Sequence, residues 1–176
     1  GSGVGMAGVQ IAKKVVGARV LTTAGTDRKV AQARALGADA AINYTTRDFV
    51  GEVRRLTQGE GVQVALDIVG GEVFARTQCA LARGGRLVSV GYSSGVQPQI
   101  DAALADANGH HIVTNWGLNS LRTPLQAAQD LAHIVQLVAR GILNPIIARR
   151  FSLSEAAEAH RYLASRAPFG KVILRP

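Results

Sequence analysis

The sequence predicts an α/β fold, a doubly wound parallel sheet with helices on both faces, and three observations carry that expectation. Strand-like and helix-like patterns alternate along most of the chain with short glycine-bearing connections, as βαβ units require. Hydrophobic residues make up 47% of the chain and aromatic residues only 5%. The interior must therefore be built from Ala, Val, Leu and Ile, the usual filling of helix-covered parallel sheets. Glycine accounts for 20 of 176 residues without period or low-complexity tract, which suits many tight turns between strands and helices.

Each element can be justified in order. Residues 1–8, Gly-Ser-Gly-Val-Gly-Met-Ala-Gly, run into a helical pattern in which Val9, Ala12, Val15 and Val16 share a face, and Gly17 ends it. A strand is expected over 19–23. Thr26 is the N-cap of a helix over 27–36, with Val30, Ala33, Ala35 and Leu36 as its apolar stripe and Gly37 as its stop. A strand over 40–43 and a helix over 48–56 follow. The next unit is a buried strand over 62–68, closing on Asp67, then a helix over 72–82 and a strand over 86–90. After Gly95 the pattern loosens through Pro98 to Asn108, and a strand resumes over 110–115. Thr123 and Pro124 open a helix whose buried stripe is Leu131, Ile134, Val135 and Val138, ended by Gly141. The tail holds an extended stretch over 142–151, a helix opened by a Ser152–Glu155 capping box, and a strand over 171–174.

Composition limits the function classes. The formal net charge is +8, but the basic residues fall in ones and twos (Lys13–Lys14, Arg28–Lys29, Arg54–Arg55, Arg149–Arg150) on what read as solvated outer faces, without interleaved aromatics. That pattern argues against a nucleic-acid partner. No stretch is apolar enough to span a membrane and no signal-peptide pattern opens the chain, so a cytoplasmic protein without a membrane partner is expected. The lone cysteine, Cys79, provides neither an internal disulfide nor a cysteine-rich zinc site. His110 and His111 alternate across a strand and cannot chelate one metal, and His133 and His160 lack ligand partners nearby in sequence; no metal ligand is assigned. Residues 91–95, Gly-Tyr-Ser-Ser-Gly, match the nucleophile elbow of hydrolases, but that elbow must lead at once into a helix, whereas 96–99 read as a loop.

Gly3, Gly5 and Gly8 spell G-x-G-x-x-G at a helix start. Such glycines let backbone approach a pyrophosphate while the helix N-terminus offers unpaired N–H donors and partial positive charge. The motif belongs between a strand and a helix, so a Rossmann sheet lacking its first, central strand is expected, with the chain read as a piece of a longer protein. Residues 1–5, 17–20, 24–26, 36–39, 42–44, 67–71 (Asp-Ile-Val-Gly-Gly) and 84–88 together resemble the cofactor half of medium-chain dehydrogenases/reductases, most of all the NADPH-dependent quinone oxidoreductases of the zeta-crystallin group. Phe151, the run 155–160 and the run 169–172 are similar to that family's C-terminal segment.

The resemblance implies an NADPH-dependent oxidoreductase of quinone reductase type, acting on a small molecule such as a quinone or enone. It places a nucleotide domain over 1–141 and a tail over 142–176 that packs on a catalytic domain outside this chain. That other domain largely forms the substrate pocket, so no catalytic side chain is assigned here. In the family register the phosphate loop is read on Gly3, Val4 and Gly5. The second strand ends in the small, neutral turn 23–26 rather than in an acid, which leaves room for a 2′-phosphate and favours NADPH over NADH. Gly25, Thr26, Lys29 and Tyr44 look like the family's 2′-phosphate and adenine contacts. Arg28 and Lys29 read equally as solvated helix residues, and Asp27 as a helix-start acid or a ribose acceptor. Gly70, Gly91, Tyr92, Trp116, Gly117 and Leu118, at the carboxyl ends of later strands, are candidates for the nicotinamide end; Trp116 also fits a core or subunit-interface role. Lys171 resembles a late return of the chain to the cofactor, or is a surface-strand cation. Pairing of two copies through the edge strand 110–115 would give a homodimer. Two alternatives stay open: a zinc-containing alcohol dehydrogenase of the same superfamily, and a nucleotide-binding sensor or assembly module without catalysis.

Overall fold

A computed structural model describes residues 2–114 and 123–176. The elements alternate as expected: α1 (Gly3–Gln10), β1 (Leu21–Ala24), α2 (Asp27–Ala35), β2 (Ala40–Asn43), α3 (Phe49–Leu56), β3 (Val62–Asp67), α4 (Gly71–Ala80), β4 (Leu81–Ser89), α5 (Ala102–Asn108), β5 (His111–Val113), α6 (Pro124–Ala139), β6 (Ile147–Ser152), α7 (Ala156–Ala164) and β7 (Lys171–Arg175). Every strand pairing among the described residues is parallel. The chain divides into two compact units, one of 1–45 with 130–176 and one of 46–129.

In the first unit β1 pairs with β2 in register Leu21 to Ala40, and β6 pairs with β7 around the connecting helix α7. Thr26 caps α2, its hydroxyl accepting from the Lys29 N–H at 3.3 Å. Val9, Val20 and Ala38 form a small core against Ala12 and Leu36. The tail reaches α1 through buried Gln10, which donates to the Asn144 carbonyl (3.1 Å) and accepts the Asn144 N–H (2.8 Å). The Ser152–Glu155 capping box forms. Val15 and Val16 do not join the expected apolar face: α1 widens into a π-helical turn over Ile11–Val15 and both valines stay exposed. The wider turn shifts the residues after Gln10 off the α-helical period.

In the second unit the strand order is β3-β4-β5, and fully buried Phe74, Leu81 and Leu87 pack with Val62, Ala65 and Ile112. Asp48 caps α3, accepting from Val50 and Gly51 N–H. Three expectations need correction. The strand expected to be buried, β3, is partly open to solvent, with Val64 65% and Leu66 49% exposed, because only Val62 and Ala65 of this strand pack on the Phe74 cluster. Arg54 is not a solvated helix residue: its guanidinium donates to the carbonyls of Gly59, Cys79 and Leu81 at 2.8–3.2 Å. The loose stretch before Asn108 contains α5, capped by Asp101 accepting the Leu104 N–H (2.9 Å) and ended by Gly109 in the left-handed region.

The expected stripe of α6 is also corrected. Leu131, Ile134, Val135 and Val138 are exposed and only Leu137 is buried. Their spacing marks an apolar face, which nothing among the described residues covers. Among those residues, no helix is long and apolar enough to cross a membrane.

Candidate functional site

The start of α1 is the first cluster. Ser2 caps it, its hydroxyl accepting the Gly5 N–H at 3.1 Å and its carbonyl the Met6 N–H at 3.0 Å. The N–H groups of Gly3 and Val4 belong to the first turn, which has no intrahelical acceptors. The Lys171 side chain lies over Gly3: a Cβ there would collide with Lys171 Cδ and stand 3.2 Å from Nζ. Only glycine leaves room for this approach, and it brings an ammonium to the positive end of a helix. Two positive features side by side suit an anion such as a phosphate group. Gly3, Val4, Gly5 and Lys171 are thus brought together by the first and last elements of the chain.

The second cluster lies at the carboxyl ends of β1 and β2, whose pairing of Ala24 with Asn43 sets their turns side by side. Tyr44 covers Gly25, where a Cβ would stand 2.8 Å from the phenol oxygen. Tyr44 keeps 45% of its surface exposed. Lys29 Nζ donates to the Arg166 carbonyl, which ties the 165–167 corner to the start of α2. Asp27 accepts from Asn43 Nδ2 at 2.7 Å. Neither the Arg166 anchor nor the Asn43 bond was foreseeable by spacing, since the partners lie 137 and 16 residues apart. A positive φ at Arg166, a non-glycine, has no sequence signal either.

The third cluster belongs to the second unit, where the loops after β3 and β4 run together. The N–H groups of Val90, Ser93 and Ser94 donate to the carbonyls of Asp67, Ile68 and Val69 at 2.9–3.1 Å. Gly70 has φ +74°, and a Cβ there would meet the Val96 carbonyl and stand 2.6 Å from Tyr92 Cβ. A side chain would be strained and crowded at once. Gly91 faces open space. Asp67 holds the first of these loops, accepting from Val69 N–H (3.2 Å) and Gly70 N–H (2.9 Å). Burial pushes its carboxyl above the usual range, partly opposed by the Gly70, Val69 and Ile68 N–H groups and the Ser89 hydroxyl. Asp67 is buried, as the strand expected over 62–68 required, whereas the burial of Ser89 had no sequence signal. Ser93 is followed by a loop, and the next helix starts at Ala102, so the hydrolase elbow does not form. Trp116, Gly117, Leu118 and the end of the expected edge strand at Asn115 lie outside the described residues.

The model of the family described as zinc-binding dehydrogenase matches residues 36–174. The chain belongs to the zinc-binding dehydrogenase family. Within it, the chain is 38% identical over 98% of its length to a phenolphthiocerol/phthiocerol polyketide synthase of Mycobacterium tuberculosis, of which it covers 8%. The solved Escherichia coli quinone oxidoreductase complexed with NADPH superposes with a TM-score of 0.90 at 30% identity, covering 99% of this chain and 54% of that one. An NAD-dependent alcohol dehydrogenase superposes with a TM-score of 0.85 at 38% identity, covering 97% and 47%. The chain spans about half the length of the curated reductases it matches. These zinc-binding dehydrogenase relatives bear out the α/β medium-chain fold. Among the described residues no three His, Cys, Asp or Glu side chains gather to hold a metal ion.

Proposed function

We propose that this chain is the nucleotide-holding half of an NADPH-dependent oxidoreductase of quinone reductase type. One observation carries the reading: two of the glycines expected to face the nucleotide, Gly3 and Gly25, each leave a space taken by another candidate contact, Lys171 and Tyr44. The residues fit such a cofactor. The Gly3 and Val4 N–H groups and Lys171 would hold the pyrophosphate, and Tyr44 would lie against the adenine. The neutral turn at Gly25–Thr26 with Lys29 would receive the 2′-phosphate. Gly70, Gly91 and Tyr92 would border the nicotinamide end.

NADPH, when bound, supplies a hydride to the substrate. This chain's part is to fix the nucleotide's position through backbone donors and cations, because hydride transfer depends on close, aligned approach rather than on a strong acid or base from this half. In this reading 1–141 form the nucleotide domain, and 142–176 pack against a substrate-binding half in the longer protein. The substrate is a small quinone or enone. NADPH rather than NADH is favoured by the absence of an acid at 23–26 and by the bond that engages Asp27. β5, at one end of its sheet order, would pair with its twin in a homodimer. Titrating NADPH and NADH while following thermal unfolding tests the reading; no rise with either nucleotide refutes it.

The identity to a polyketide synthase, of which the chain covers 8%, supports a second reading. The chain would then be part of a reductase built into a multidomain synthase, with an α,β-unsaturated thioester as its enone. Turnover of such a thioester with no turnover of quinones would favour it over the first reading.

A further inference from the structure

We infer that Asn43 sets the choice of nucleotide by holding the Asp27 carboxylate away from the adenosine ribose. The inference rests on the nucleotide site proposed above and deepens it. Asp27 is the first residue of α2, directly after the neutral turn, where a free carboxylate would accept from a ribose 2′-hydroxyl and repel a 2′-phosphate. In the structure one oxygen of that carboxylate is engaged and the group is tethered to the end of β2: Asn43 Nδ2 donates to Asp27 Oδ1 at 2.7 Å.

Asn43 is itself well placed to hold it. It ends β2 and is buried. Its Oδ1 accepts from the Thr45 N–H at 3.1 Å and the Thr45 hydroxyl at 2.6 Å. Those bonds fix which end of the amide faces Asp27, so the donor is presented and the acceptor turned away. Thr45 Oγ1, its one proton given to Asn43, also stands 3.5 Å from the Gly25 carbonyl. A buried amide with both ends engaged restrains its partner more than an exposed one would. Asn43 is therefore a positioning residue: it acts on the nucleotide through Asp27.

The test measures NADPH and NADH dissociation constants by calorimetry in the full-length protein, for the wild type, Asn43→Ala, Asp27→Ala and the double variant. The ratio of NADPH to NADH affinity should fall about tenfold in Asn43→Ala, the scale of a hydrogen bond to a charged group. The same substitution in the Asp27→Ala background should leave the ratio unchanged. Asn43→Ser replaces Asn43→Ala if the latter does not fold. Equal weakening of both nucleotides, or an equal fall in ratio without Asp27, overturns the inference and leaves the site reading intact. A wild type that binds neither nucleotide overturns the site reading and this inference with it.

Discussion

Replacing Gly3 by alanine separates folding from nucleotide binding. The residue is the first of α1, and alanine is the better helix former, by up to about 1 kcal/mol in a helix interior and less at the first turn. Nothing in the backbone opposes the change. The new methyl instead takes the space of Lys171, whose Cδ it would meet and whose Nζ would stand 3.2 Å away. The lysine must swing off the helix start. An ammonium–phosphate hydrogen bond contributes about 1.5–3 kcal/mol, and the exposure of Lys171 puts its loss at the lower end, about tenfold in affinity. Differential scanning fluorimetry should find the melting temperature of the nucleotide-free variant unchanged or slightly raised. Calorimetry should find NADPH about tenfold weaker. Lys171→Ala should weaken binding similarly, and the double variant should be no worse than either single one. Additive losses would refute the reasoning, since they would mean that Gly3 acts on the nucleotide without Lys171.

Gly70→Ala should cost about 3 kcal/mol in urea unfolding, because the positive φ and the Val96 and Tyr92 contacts leave no room for a methyl; a loss under about 0.5 kcal/mol would contradict this. Leu87→Ala, in the fully buried cluster, should cost about 2–5 kcal/mol by the same measurement. Asp39 accepts from Lys13 and from the Val20 N–H, both at 2.7 Å, and these hold its carboxyl below 3.8. Its contribution is present above that value and lost as pH falls through the lower folded value. Asp39→Asn should therefore be less stable near neutrality and converge on the wild type in acid. Asp67 has the opposite sign: its carboxyl is raised above 3.8 by burial, so wild-type stability relative to Asp67→Asn should fall as pH rises from that value.

The order of elements was readable because caps and stops sit where local chemistry demands them: Thr26 as an N-cap, Gly37 and Gly141 past helix ends, Ser152 with Glu155. The glycine cradles were half readable. Gly3, Gly25 and Gly70 could be named from motif and resemblance, but that Lys171, Tyr44 and Tyr92 fill the space beside them is a tertiary fact. Arg54 shows the limit clearly. In sequence it is one of a basic pair on a helix, and only the fold brings three carbonyls to its guanidinium. The α6 stripe shows the converse, since periodicity reports an apolar face and says nothing of what covers it.

The central claim is that the chain holds NADPH through the starts of α1 and α2. Its most direct test is a thermal unfolding titration of the full-length protein with NADPH and NADH side by side. A melting temperature that rises with NADPH, and rises less at equal NADH, is the predicted result. Equal or greater stabilisation by NADH would contradict the choice of nucleotide, and no change with either would contradict the site.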